Sequence, residues 1–546
     1  MQVIIPMSGF GERFRAEGYT TPKPLITVEG RPIISHVVDL FPGDHDFIFI
    51  CNEDHLSNQE WNMRGILESM ASSARIVSIP SHKLGPVNAI LEAREALDLE
   101  VPTVVNYADF ACRWDFDSFL QDISSRSLSG SVPAYRGFHP HSGGSTNYAY
   151  IKEHALYLED IREKTPFTDN KVDEFASSGT YYFESARLML ELFEEQVKRE
   201  ISVKGEYYVS SSMELMRERG LDVGVFELEH FMQWGTPQDL WEYEHFSDLF
   251  RCLSNFTSES LAIAGVGSSL ILASGEGKRF QDKGYGLPKT LLPVSGEPLI
   301  SQIAKVVESR QHLAISVLTD LDEDRLNEAG FQNILKLSDL SRGQADTAHQ
   351  LSHSQRNLTP GAFTVFPNDT IFANSTDSLT SISAGPDEFL AVWVSKPSPF
   401  AKANPEQFGW ASEVDGKIVV ALKKQPAEPT SRVITGAFTF SSQTVFDSLF
   451  SWVETNNKTI NGELYLDSFI EGAQELGIST LLFEPQICIT LGTPYEYEAF
   501  RYWQSCFDRW AAHPYTLDSD PFVSKHNLTP LREELQNTKH SPSEQF

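Results

Sequence analysis

The chain has 546 residues, 41% hydrophobic and 22% charged, the balance of an ordinary globular protein that is too long for one domain; length alone suggests about two to four. Its 44 basic against 75 acidic residues, a net charge of −31, argue against nucleic acid or an anionic membrane as a partner, though not against small anions held by local donors in a pocket. The five cysteines are scattered and form no CxxC pair, which reads as free thiols in a reducing cytoplasm.

The first residues, MQVIIPM, lack a basic leader and a long apolar run, so they predict a strand and not a signal peptide. No stretch approaches the roughly 20 apolar residues that span a bilayer. QVIIPM, DFIFICN, ARIVSIP and TVVNYADF follow one another as short apolar runs, compatible with buried parallel strands. RPIISHVVDLF and GPVNAILEAREAL lie between them as helical segments. The alternation predicts an α/β fold with a mostly parallel central sheet flanked by helices. Ligands of such sheets sit at the carboxyl ends of the strands.

The chain repeats itself. Arg13 and Lys23 recur as Arg279 and Lys289, both 266 residues on. Asp109 recurs as Asp369, Gly179 as Gly436, Glu206 as Glu463 and Gly235 as Gly492, in the same order and with slowly drifting offsets. Two homologous domains are expected, residues 1–252 and 267–512, with a linker over 253–266 rich in small and polar residues and a partly disordered tail over 513–546.

Each copy opens with a glycine turn between a strand and a helix, Gly9 and Gly11 in the first, Gly275 and Gly277 in the second. Glycine lets backbone approach a ligand closely, and the helix start offers free N–H groups. Arg13 and Lys23 add two cations. The combination suits a nucleoside triphosphate, whose charge must be neutralised before an anionic nucleophile can approach.

The stretches GFGERF…PKPLITVEGRPII and GEGKRF…PKTLLPVSGEPLI resemble the signature of the sugar nucleotidyltransferase superfamily, the nucleoside-diphosphate-sugar pyrophosphorylases and their cytidylyltransferase-like relatives. The resemblance covers both halves. It implies two tandem Rossmann-like (GT-A-like) domains and attack by a sugar 1-phosphate on the α-phosphorus of an NTP, with Mg²⁺ and release of pyrophosphate. It assigns Arg13, Lys23 and Asp109, and again Arg279, Lys289 and Asp369, to catalysis, with the two aspartates as metal ligands. Nucleotide binding would fall to Met7, Ser8, Gly9, Gly11, His82, Gly85 and Asn88, and in the second copy to Ala273, Ser274, Gly275, Gly277, Gly343 and Gln344. Acceptor binding would fall to Asn147, Tyr148, Glu163, Lys164, Gly179 and Glu206, and to Lys424 and Gly436. CTP, UTP or dTTP and a phosphorylated small molecule are the expected partners, in the cytoplasm, with surface polysaccharide as the destination and homo-oligomerisation left open.

The sequence departs from the family pattern twice. Gln233 and Thr490 stand where an aspartate of a D-x-G-T element would fall, and Lys423 replaces the glutamate that Glu163 supplies in the first copy. The second copy could therefore be a binding or regulatory module. A third reading, a GT-A glycosyltransferase, would use Asp115 and Asp117 as a DxD motif; the plainer expectation is that Asp115 caps a helix. The stretch from His139 and His141 to Tyr148 is expected to be an acceptor loop or a surface loop before it is a metal site.

Overall fold

The computed structural model describes residues 1–71, 73–140, 148–258, 261, 263, 267–306, 313–318, 323–328, 331, 333–337, 339–354, 361–374, 387–414, 417–422, 430–460 and 462–537. By their contacts these form two compact units, Met1–Glu244 and His245–Asn537. The division falls inside the helix Pro237–Leu253.

In the first unit the four expected strands are present and adjacent. Gln2–Met7 lies between Thr103–Asn106 and Asp46–Asn52, and Arg75–Ile79 follows at the edge, all parallel. The near-continuous burial of the three inner strands is what apolar runs covered on both faces require, and the edge strand Arg75–Ile79 is only partly buried. The segment RPIISHVVDLF contains the helix Ile33–Val38, and GPVNAILEAREAL contains the helix Pro86–Glu92.

The expectation of a mostly parallel sheet is corrected: the ten-stranded sheet is mixed. Thr180–Phe183 runs antiparallel to Thr103–Asn106 and to Gly130–Tyr135, and Val223–Glu227 then pairs parallel with Gly130–Tyr135. Ala149–His154 and Tyr157–Glu163 form an antiparallel hairpin. Its two connecting residues, Ala155 and Leu156, have φ of 52° and 61°, the left-handed pair of a tight hairpin turn. A two-residue connection can only join antiparallel strands.

The second unit repeats the plan. Ser268–Ala273 pairs parallel with Leu313–Leu318 and Phe363–Pro367. Arg432–Phe440 joins antiparallel between Phe363–Pro367 and Phe389–Ser395. Each unit has its own apolar core, one around Ile4, Ile48, Val105 and Phe193, the other around Leu270, Val365, Phe438 and Phe446. Within the expected linker, Leu261 and Ile263 are buried, and Ile263 N–H donates to the Val306 carbonyl at 2.9 Å. The chain after residue 512 continues as structure through Asn537: Tyr515 and Leu517 are buried, a helix spans Leu528–Asn537, and Arg501 pairs with Glu534 at 2.6 Å.

Candidate functional site

The site of the first unit begins where Gln2–Met7 ends. The turn Ser8–Gly11 leads into the short helix Glu12–Ala16, and its last residue, Gly11, has φ of 64°, a left-handed conformation that favours glycine. Lys23 sits at the start of a single 3₁₀ turn, Lys23–Leu25, behind Pro22. Its ammonium donates to Asp109 Oδ2 at 2.6 Å and to the Gly235 carbonyl at 3.1 Å. Lysine has three N–H donors, so these two partners leave one to offer. Asp109 follows Thr103–Asn106, and its own carbonyl accepts from Trp234 N–H at 2.8 Å. Strand end, glycine turn and lysine thus meet at the carboxyl edge of the parallel strands.

These residues line a cleft of about 580 Å³. Met7, Ser8, Gly9, Gly11, Arg13, Lys23, His82, Gly85 and Asp109 line it together with Tyr148, Glu163, Lys164, Gly179 and Glu206. Asn88 is not in the lining; its side chain donates to the Leu84 carbonyl at 3.2 Å. Asn147, His141, Lys423 and Lys424 lie outside the described residues. Gly85 is required by its surroundings: φ is 88°, and a Cβ there would stand 2.7 Å from the Tyr207 carbonyl oxygen. Tyr207 N–H in turn donates to the Leu84 carbonyl at 2.9 Å, so the loop before Pro86–Glu92 is stapled to the strand-like segment ahead of Ser210–Glu218.

Sequence reasoning missed several members. Lys164 Nζ donates to the Tyr208 hydroxyl at 2.6 Å, and that hydroxyl donates to Glu206. Ser210 Oγ donates to Glu163 Oε2 at 2.6 Å. Burial raises the Glu163 carboxyl, against the Ser210 hydrogen bond and the Lys164 charge, with Glu206 adding to the rise. Tyr208 is raised by burial and by its bond to Glu206. The Tyr148 hydroxyl donates to the Gln233 side-chain carbonyl, and burial raises Tyr148 well above the usual phenol range. The only sequence hint was the aromatic and hydroxyl run GEYYVSSS.

Beside Gln233 stands a second carboxylate. A Cβ on Gly235 would stand 2.7 Å from Gln233 Nε2, 3.5 Å from Asp109 Oδ2 and 3.5 Å from Asp239 Oδ2. Two carboxylates and the Gln233 amide therefore surround one small cradle. Asp239 also accepts from Thr236 N–H at 2.8 Å at the start of its helix. Asp115 is a helix cap, accepting from Ser118 N–H at 2.9 Å, as expected. His139 is buried among Tyr135, Tyr148 and Phe231.

The second unit repeats the geometry. Gly277 has φ of 66°, and Lys289 Nζ stands 2.6 Å from Asp369 Oδ2. Burial would raise the Asp369 carboxyl, but the Lys289 charge and hydrogen bond, Thr370 and Arg279 together hold it below the usual carboxylate range. A Cβ on Gly492 would meet Asp369 Oδ2 at 3.3 Å and Glu496 Oε2 at 3.5 Å. Glu496 is raised by burial despite hydrogen bonds from Thr490 and Thr493. Gly343 packs on Leu464 as Gly85 packs on Tyr207, and Gly436 lies against Pro367. Burial and a bond to Glu463 push Tyr465 up to about 12, the counterpart of Tyr208. Ala273 ends the strand Ser268–Ala273, Ser274 and Gly275 occupy the turn before Gly277, and Gln344 opens the helix Gln344–Ser354.

Comparison with known proteins matches this arrangement. The nucleotidyl transferase family model fits residues 2–248 and again residues 268–475. The chain is 24% identical over 204 residues to the bifunctional protein GlmU of Methanocaldococcus jannaschii, covering 37% of this chain and 46% of that protein. It is 24% identical over 245 residues to the mannose-1-phosphate guanylyltransferase catalytic subunit beta of Danio rerio, covering 44% of this chain and 62% of that one. The chain thus spans about half the length of the curated relatives it matches. Among solved structures, the nucleoside-diphosphate-sugar pyrophosphorylase of Vibrio cholerae RC9 aligns with a TM-score of 0.38 at 21% identity, over 45% of this chain and 100% of that one.

Proposed function

Since this chain belongs to the nucleotidyl transferase family, with two copies of the family domain, we propose that it transfers a nucleotidyl group from an NTP to a sugar 1-phosphate or similar phosphorylated metabolite. The observation that carries the reading is the Lys23–Asp109 pair at 2.6 Å, in one cleft with Arg13, Glu163 and Lys164.

In this reading a phosphate oxygen of the acceptor attacks the α-phosphorus. The new P–O bond forms as the bond to the β-phosphate oxygen breaks, and pyrophosphate leaves. Two anions must approach each other, so catalysis rests on positioning and charge stabilisation. Arg13 and Lys23 neutralise the triphosphate and the charge at the reacting phosphorus. The backbone from Ser8 to Gly11 follows the phosphates, and Gly85 and His82 line the place of the nucleoside. Lys164, held by Tyr208, meets the acceptor phosphate, and Glu163 meets its hydroxyls.

The donor set fits a hard divalent cation such as Mg²⁺, because Asp109 and Asp239 place carboxylate oxygens around the Gly235 cradle. Bound there, the ion would supply further neutralisation of the triphosphate. Asp369 and Glu496 offer the same set in the second unit.

The second unit would run the same reaction with Arg279, Lys289 and Asp369. A second reading, that it is a binding or regulatory module, is favoured by Lys423 standing where the first copy has Glu163. The glycosyltransferase reading loses its motif, since Asp115 is used as a helix cap. The cytoplasm and surface polysaccharide synthesis remain the setting proposed for the product; no helix among the described residues is long and apolar enough to cross a membrane.

A screen of CTP, UTP, dTTP and GTP against phosphorylated metabolites, read by pyrophosphate release, tests the proposal. A productive pair supports it. Release of NDP from a nucleotide sugar, with no pyrophosphate from any pair, would overturn it.

A further inference from the structure

The second unit carries a cluster that its copy in the first unit lacks. His349 and His353 lie one turn apart on the helix Gln344–Ser354, and Asp447 faces them from the helix Gln443–Thr455. One ligand atom from each residue lies within 4.8 Å of the other two, and His353 Nε2 stands 3.6 Å from Asp447 Oδ1. In the first unit the corresponding positions, read from Gly85 against Gly343 and from the capping serines Ser185 and Ser442, are Leu91, Glu95 and Leu190. Leu91 and Leu190 are partly buried and pack against the core. Two apolar positions of the first unit are thus imidazole and carboxylate in the second.

The side chains are already oriented. His353 Nδ1 is 2.9 Å from the His349 carbonyl oxygen. A hydrogen bond there puts the proton on Nδ1 and the lone pair on Nε2, the atom that faces Asp447. The His349 ring stacks on Phe450 with centroids 4.1 Å apart and planes at 10°. Gln443 Nε2 donates at 2.9 Å to Asp447 Oδ1, the same oxygen that faces His353, and so fixes the carboxylate's orientation. Ligating histidines and carboxylates are commonly held in this way by outer partners.

We propose that His349, His353 and Asp447 bind a zinc-class divalent metal ion, with a solvent molecule completing the shell, and that the ion clamps the helix Gln344–Ser354 to the helix Gln443–Thr455. Zinc takes imidazole nitrogen and carboxylate oxygen at about 2.0–2.2 Å in a tetrahedral shell, so neighbouring ligand atoms sit about 3.4 Å apart. The His353–Asp447 separation of 3.6 Å is close to that span. Imidazole ligands select zinc, copper or nickel over magnesium, so this site is separate in kind from the carboxylates at Gly492. The clamped helix begins at Gln344, directly after Gly343, so the ion would stiffen the start of the helix that packs on Leu464.

The test is a titration of the full chain with Co²⁺, and with Zn²⁺ in competition, in the presence of excess Mg²⁺ to fill the carboxylate sites. The expected result is a single equivalent of Co²⁺ with tetrahedral d–d absorption, displaced by Zn²⁺. His353→Gln and Asp447→Asn, both at solvent-accessible positions, should each weaken binding about tenfold or more. Lys289→Ala should leave the titration unchanged. No tetrahedral spectrum, or the same affinity in His353→Gln and Asp447→Asn as in the parent, would overturn the site.

Discussion

Lys289 stands 2.6 Å from Asp369, the same separation that Lys23 keeps from Asp109. The two pairs sit in separate units that share no residue, at the same strand end and behind the same glycine turn. A lysine and an aspartate at bonding distance and partly buried are a costly arrangement to keep without use. Its presence in both units is the strongest structural reason to treat both sites as built for a polyanion.

The pair in the second unit has a measurable pH signature. Asp369 lies below the usual carboxylate range because Lys289 and its other partners outweigh burial. A folded value below the unfolded one contributes stability above the ordinary carboxylate pKa of about 4, and the contribution is lost as pH falls through the lower folded value. Lys289→Met removes the main opposing charge. The stability gap between parent and variant, read by urea unfolding, should be widest above about pH 5 and narrow toward about pH 3. A gap that stays constant with pH would show that the ion pair does not set the Asp369 carboxyl.

Tyr208 links the acceptor side of the first cleft, accepting from Lys164 at 2.6 Å and donating to Glu206. Tyr208→Phe deletes that hydroxyl while keeping the ring. Loss of a hydrogen bond to charged groups costs about 1.5 kcal/mol, roughly tenfold in binding. The KM for the phosphorylated acceptor should rise by about that factor while the KM for the NTP holds. A change confined to the NTP would place Tyr208 on the other side of the reaction.

Gly85 and Gly9 both line the cleft but differ in what surrounds them. A Cβ at Gly85 meets backbone at 2.7 Å on a φ of 88°, and a Cβ at Gly9 meets nothing within 4 Å. Gly85→Ala should destabilise the fold by about 2–4 kcal/mol, and Gly9→Ala by about 0.5 kcal/mol or less. Thermal unfolding of the two variants compares them directly. Equal melting temperatures would mean that the loop before Pro86–Glu92 yields at no cost.

Much of the site was legible because its parts are local. Glycine turns, a lysine held between prolines and an aspartate at a strand end announce themselves in short stretches, and the duplication separates them from chance. What escaped were contacts made across the chain. Tyr208 reaches Lys164 over 44 residues, and Ser210 reaches Glu163 over 47. Asp239 and Glu496 lie in the first turns of their helices, and only the fold brings them to the cradle beside Asp109 and Asp369. Strand direction was misread for a similar reason. Buried strands on both sides of Thr180–Phe183 have the same apolar look whether they run parallel or antiparallel, and the hairpin at Ala155 and Leu156 has no glycine to mark it.

The most direct test of the central claim is pyrophosphate release by the full chain, compared with Lys23→Ala and Lys289→Ala, on every NTP and phosphorylated acceptor that the parent uses. Removing a cation that stabilises charge at the reacting phosphorus should lower kcat about 10²–10³-fold. The account expects Lys23→Ala to abolish one activity and leave a second that Lys289→Ala abolishes. Loss in Lys23→Ala alone would make the second unit a module, and full pyrophosphate release in both variants would contradict the assignment of the two lysines to nucleotidyl transfer.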